Sequence, residues 1–161
     1  CCAEKRVVLS LVIPSEDEAT QLIENQRKAI SDLKEKNASS EDMKRSEAGL
    51  SYLKKNLDLI RKGGMEDSTE IILQGLRIGD AVLVAIPAEP LVEVGLRIKA
   101  ESSIKPTFVV AYANGYHGYM PTSESYERGG YEVAPTWWNR LSKGSAEKVI
   151  SEALLLINEL E

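Results

Sequence analysis

The chain has 161 residues, 43% of them hydrophobic and 28% charged, with a net charge of -5, all ordinary values for a globular domain. This balance leaves no basic surface that would track phosphates, so nucleic acid is not an expected partner. No apolar run reaches the roughly 18 residues that span a bilayer. The two cysteines, Cys1 and Cys2, are adjacent. They make neither a disulfide framework nor a structural zinc site, and Cys1 reads as a processing boundary rather than a lipidated residue.

Lys5 to Pro14 is a short apolar run ended by proline and predicts a buried strand. Ser15, with Glu18 three residues on, has the pattern of a capping box. It opens a helix in which Ala19, Leu22, Ile23, Ile30 and Leu33 recur at helical spacing. Asn37 to Ser40 breaks that helix. A second follows with Leu50, Leu53, Leu57 and Ile60 on one face, and Gly63-Gly64 stops it. The charged outer positions of both helices predict a solvated helical hairpin.

Thr69 to Ile78 and Ala81 to Ile86 are β-branched apolar runs, and Gly79-Asp80 between them predicts a tight hairpin turn. After Pro87-Ala88-Glu89-Pro90, Leu91 to Ala100 predicts a helix and Thr107 to Ala111 another buried strand. Ser145 to Leu160 closes the chain as a helix with Val149, Ala153, Ile157 and Leu160 inward. Strands alternate with helices, which gives an α/β class. Residues 1–161 are read as one layered sheet-and-helix domain or as a fragment of a larger α/β catalytic domain.

Between Tyr112 and Trp138 the composition changes. Tyr112, Tyr116, Tyr119, Tyr126, Tyr131, Trp137 and Trp138 all lie here, with His117, the one histidine of the chain. Glycines at 115, 118, 129 and 130 sit among them. A long polar-aromatic loop just after a strand is where ligand sites of α/β sheets occur. Tyrosines of this kind also serve as half-buried packing with a hydroxyl in water. One histidine cannot supply the usual three protein ligands of a catalytic zinc, and no nucleophile elbow, phosphate loop or His-Glu-x-x-His occurs. Glu89, between Pro87 and Pro90 at a strand end, is a second candidate, either as a rigidly held ligand or base or as an exposed turn carboxylate. Trp137-Trp138 is expected to close a core against a helix; the alternative is contact with a membrane surface.

Two of these segments carry a family resemblance. Ile78-Gly79-Asp80-Ala81 through Ile86-Pro87-Ala88-Glu89, then Gly95-Leu96-Arg97, resembles the neutral ceramidase motif in which a strand runs into Pro-Gly-Glu and then a helix. Ala113-Asn114-Gly115-Tyr116-His117-Gly118-Tyr119, then Thr122, Glu124, Tyr126 and Gly130-Tyr131-Glu132, resembles that family's Asn-x-Tyr-x-x-Tyr segment and the Tyr-Glu after it. The spacing from Tyr119 to Tyr131 agrees as well. The resemblance covers Arg77 to Trp138 and is loose elsewhere.

The resemblance implies a zinc-dependent amidohydrolase of sphingolipid metabolism that cleaves the N-acyl amide of ceramide or a related lipid amide. It implies Glu89 and Tyr119 as zinc ligands and Tyr131 as a residue of the catalytic site near the scissile amide. Zinc in such a site activates a water and polarises the amide carbonyl. Ala88 and Pro90 depart from the family's glycine and aromatic residue. The family's two histidine ligands and its active-site serine have no counterpart in this sequence, and neither does its immunoglobulin-like domain. The expectation is therefore half of a zinc site, inactive alone and completed by an upstream portion of the same protein or by a complementing chain. The family also implies a secreted or cell-envelope location. Two other readings stay open: a non-catalytic relative that binds a ligand or partner through the tyrosine-rich loop, and an amidase or esterase with another substrate.

Overall fold

Residues 1–136 and 138–161 are described by the computed structural model. The chain divides into two compact units, Ile13–Glu66 and Cys1–Val12 with Asp67–Glu161.

In the smaller unit the capping box forms as the sequence predicts. The Ser15 hydroxyl accepts from the Glu18 N–H, and the Glu18 carboxylate accepts from the Ser15 N–H, opening helix α1 over Glu16–Glu35. Asn37, at a φ of +50°, ends it, and Ser39 caps helix α2 over Ser40–Arg61. The two pack as a hairpin through Ala19, Ile23 and Ile30, and the Gln26 amide reaches across to the Ser46 carbonyl at 2.9 Å. Gly63, at a φ of +64°, donates to the Ile60 carbonyl and Gly64 to the Leu59 carbonyl, closing α2 with bonds that only a left-handed residue makes easily.

The larger unit is built on a four-stranded sheet in the order β1 (Cys2–Ser10), β2 (Ser68–Ile78), β3 (Ala81–Ala85), β5 (Thr107–Val110). β1, β2 and β3 are antiparallel, and β3 and β5 are parallel. Gly79, at a φ of +60°, turns β2 into β3 so that Ile78 faces Ala81. Side chains alternate along every strand. Val7, Leu9, Ile71, Leu73, Val82 and Val84 point to one face, where α3 (Val92–Glu101) and α5 (Ser145–Asn158) cover them. The predicted inward residues of α5, Val149, Ala153 and Ile157, are all buried there, with Leu160 just beyond its end.

Two strand expectations change. Lys5–Pro14 and Thr107–Ala111 read as buried strands, but β1 and β5 are the two edges of the sheet. Their apolar character covers both faces, and within this unit α3 and α5 lie on one of them. On the other face Val8, Leu76, Ile78, Phe108 and Val110 remain exposed, Ile78 by 60%. The loop between β5 and α5 is also less irregular than its composition suggests. It contains β6 (Tyr119–Met120), α4 (Ser123–Arg128) and a 3-10 turn, Tyr131–Val133. None is long enough to show a period.

Candidate functional site

The site is positioned by backbone pairing that continues past the sheet. Beyond β3 the chain stays paired to the strand beside it. Ile86 N–H donates to the Val110 carbonyl, Ala113 N–H to Ile86 and Tyr112 N–H to Ala88. Ile86, Pro87 and Ala88 are buried, so the segment before Glu89 is fixed on both sides. Strand β4 (Glu89–Pro90) then pairs in parallel with β6, which places Glu89 beside Tyr119 and Pro90 beside Met120. The bonds come from the N–H groups of Glu89, to Gly118, and Leu91, to Met120. Pro90 falls at the position whose N–H is not needed, which is where a strand tolerates proline. Met120 is fully buried, while Glu89 and Tyr119 are half-buried and side by side.

Phenols surround the Glu89 carboxylate. The Tyr116 hydroxyl donates to Oε2 at 3.4 Å. The pKa of the Tyr112 phenol is pushed up to about 12, through the Glu89 carboxylate first and then through desolvation. Tyr116 and Tyr119 shift upward too, each through burial first and then through the negative charge of Glu89. The rings are stacked into a continuous wall. Tyr112 and Tyr116 are parallel to within 1° at 5.8 Å. Trp138 stacks on Tyr116 at 6.1 Å and leans on Tyr119 at 5.6 Å. Tyr131 meets Tyr119 edge-on at 5.7 Å, the favoured geometry for two quadrupoles.

A buried amide ties the two halves of this wall together. Asn139 Oδ1 accepts from the Tyr119 N–H at 2.9 Å, and its Nδ2 donates to the carbonyls of Glu132 at 2.8 Å and Ala134 at 3.2 Å. It thereby holds β6 against the 3-10 turn that carries Tyr131. Gly118 makes the approach feasible. Its φ is +81°, and a Cβ there would lie 2.8 Å from both Asn139 Oδ1 and the Trp138 carbonyl.

Of the residues singled out in the sequence, Glu89, Tyr119 and Tyr131 come together. His117 does not join them. Its Nδ1 lies 3.5 Å from the Thr69 hydroxyl, and burial pushes its pKa down. It borders a separate open depression of about 320 Å³ with Glu4, Glu70, Gln74, Pro87 and Asn114. Trp138 packs against tyrosines, and Trp137, its partner in the membrane-or-core expectation, lies outside the described residues. Tyr112, Tyr116 and Asn139 were not given roles by the sequence. A tyrosine directly after a strand was a signal for Tyr112, but nothing marks Asn139, whose importance lies in being buried.

As a metal centre the arrangement is partial. Among the described residues no group of three His, Cys, Asp or Glu side chains could hold an ion. Glu89 and Tyr119 in register offer two oxygen donors of the four that zinc takes. The upward shift at Tyr119 means that a nearby cation would have to favour its phenolate against the charge of Glu89.

No family model matches the chain, and no curated protein does. Among solved structures it is similar to a ceramidase complexed with C2 and to the neutral ceramidase from Pseudomonas aeruginosa. Each is 24% identical, with a TM-score of 0.49, over 57% of this chain and 15% of that one.

Proposed function

We propose that this chain carries part of the active site of a ceramidase-like zinc amidohydrolase, acting on the N-acyl amide of ceramide or a related lipid amide. Glu89 and Tyr119 are two of the zinc ligands in this reading, and Tyr131 borders the scissile amide. The observation that supports it best is the pairing of β4 with β6, which puts a carboxylate and a phenol that lie thirty positions apart in the sequence next to each other. Bound there, zinc supplies an activated water and polarises the amide carbonyl.

The chain's own residues bind and orient. Glu89 is the anionic donor, and the Tyr116 phenol donates to it. Tyr131 is 64% exposed with its ring edge on Tyr119, free to meet a substrate. The ring wall offers apolar surface to a lipid chain. The remaining ligands come from an upstream portion of the same protein or from a complementing chain. The exposed Leu76, Ile78 and Phe108 on the outer face of the sheet support this, since exposed apolar patches mark sites of contact.

The test compares this chain with a longer form that includes the upstream sequence, measuring zinc stoichiometry and fatty-acid release from ceramide. The expected outcome is one zinc and activity only in the longer form, both lost in Glu89→Gln and Tyr119→Phe. Tight zinc binding and amide cleavage by the short chain alone would overturn the divided site. A second reading is favoured by the exposed rings of Tyr112, Tyr116 and Tyr131: a non-catalytic relative that binds a ligand through them. Absence of paired histidines in the upstream sequence would select it. A screen of N-acyl amides and esters separates ceramide from other substrates on the same scaffold.

A further inference from the structure

We propose that the open edge of β5 takes one further strand from the upstream portion of the protein, so that the two portions share a single sheet and the added strand ends beside Glu89 and Tyr119. The pairing stands on the backbone of β5; its use in completing the zinc site rests on the function proposed above.

The inner edge of β5 is spent on β3 at alternate residues. Val82 N–H donates to the Pro106 carbonyl and Ile86 N–H to the Val110 carbonyl. With Val82 opposite Thr107 and Val84 opposite Val109, this alternation turns Pro106, Phe108 and Val110 toward β3, and Thr107, Val109 and Ala111 away from it. Among the described residues the main chains of Val109 and Ala111 make no bond on that outward side. The opposite edge of the sheet is treated differently. Along β1, Lys148 donates to the Val8 carbonyl, Ser142 N–H donates to Ser10, and Leu11 bridges to Leu141. β5, Thr-Phe-Val-Val, contains neither the charge nor the proline that guards an edge. Its margins are apolar on both faces. Phe108 and Val110 are exposed on the outer one. On the inner one a Cβ at Gly95 would lie 4.0 Å from Val109 Cβ, so that flank of α3 lies over β5. Val92, three residues before Gly95 and so on the same flank, and Leu96, one turn after Val92, are both exposed. An extended segment with apolar side chains on both faces fits here, held by main-chain bonds to Val109.

The direction of β5 decides between occupants. Its carboxyl end leads into Tyr112, whose N–H donates to the Ala88 carbonyl beside Glu89. A strand laid along β5 therefore reaches the end of the sheet where the partial donor set sits and brings further donors to it. A second copy of this chain does not. Two identical edges related by a two-fold axis pair antiparallel, which sends the two Tyr112 ends to opposite ends of the seam.

The experiment is amide hydrogen exchange by NMR, in the short chain and in the longer form that includes the upstream sequence. Val109 and Val110 are adjacent valines that face opposite ways, so one 15N-valine label reads both. In the short chain Val109 is expected to exchange freely while Val110 is protected by β3. In the longer form Val109 is expected to slow by about a hundred-fold or more, as an amide inside a sheet does. Fast exchange at Val109 in the longer form would overturn the proposal. So would protection in the short chain that grows with its concentration, which would assign the edge to a second copy. Val109→Pro removes the outward donor and spares the bonds to β3, so the short chain should keep its circular dichroism. In the longer form this variant is expected to weaken zinc binding about ten-fold in calorimetry, the worth of one lost hydrogen bond; an unchanged affinity would sever the edge from the site and count against the proposal. A parent longer form with Val109 protected and no zinc bound would count against the function proposed above and support the added strand.

Discussion

Asn139 is the residue on which the geometry of the ring wall most depends, because three of its bonds join two separate stretches of chain. Asn139→Ala leaves the Tyr119 N–H and the Glu132 and Ala134 carbonyls without that partner. The expected cost is about 1–3 kcal/mol, the loss of three hydrogen bonds each worth about 0.5–1.5 kcal/mol, less what water regains at the exposed Ala134. Trp138 fluorescence should change with it, since Tyr119 and Tyr131 pack on that ring. Urea unfolding followed by circular dichroism and by fluorescence in a Trp137→Phe background, where Trp138 is the one remaining tryptophan, measures both, and an unchanged midpoint would refute the assignment. At this scale the sequence was partly legible. Glu89 could be singled out because prolines and a strand end frame it, and Tyr119 and Tyr131 because a motif carries them. Asn139 acts through burial, and Tyr112 stands at a φ of +56°; neither property is written in a local pattern.

Elements were read well where they are long and one-sided. The capping box of α1, the Gly79-Asp80 turn and the inward face of α5 follow directly from residue type and spacing. Reading failed where apolar runs were continuous, because length and composition do not say which face of a strand is covered. It failed also for β6, α4 and the 3-10 turn, which span too few residues for a period. Two predictions belong here. Gly75 sits on β2 under the end of α5, and a Cβ there would lie 2.6 Å from Leu160 Cδ1 and 3.2 Å from Leu156 Cγ. Gly75→Ala should therefore overpack the junction and cost about 1–3 kcal/mol, read as a lower midpoint in thermal or urea unfolding. The second concerns Glu147, whose Oε1 accepts from the Ser123 N–H at the start of α4 at 2.8 Å. Burial pushes its pKa up, but that hydrogen bond, further hydrogen bonds and the Arg97 charge outweigh it and leave the pKa below 4.5. A carboxylate with a depressed pKa adds stability above its unfolded value and loses it as pH falls through the folded value. Glu147→Gln should thus lower the melting temperature at pH 7, and the gap from the parent should close as the pH drops below 4.5. A gap that persists in acid would show that packing, not charge, was responsible.

For the larger unit the decisive feature is a sheet whose own helices α3 and α5 cover one face. Lys148 donates to the Val8 carbonyl at 2.8 Å, and the Ser142 N–H donates to Ser10, so the far end of the β1 edge is already satisfied. Edges are commonly guarded in this way. On the outer face the Arg6–Glu70 ion pair lies toward β1. Toward β5 no charge interrupts the row: Phe108 lies beside the half-buried Leu83 in the ladder, and Leu83 lies beside Leu76, so apolar side chains run across three strands. A patch of this kind marks a contact surface or an association liability. The isolated chain should therefore self-associate in sedimentation experiments. Replacing Phe108 and Ile78 with serine should return it toward a monomer while shifting stability only slightly, because both side chains are more than half exposed, 52% and 60%. Addition of the upstream portion should have the same effect on the parent chain and no further effect on the double variant. A parent chain that sediments as a clean monomer would remove the sheet face as a contact surface. With it would go the structural support for a site completed from outside the chain, leaving Glu89 and Tyr119 to be explained by the aromatic wall alone.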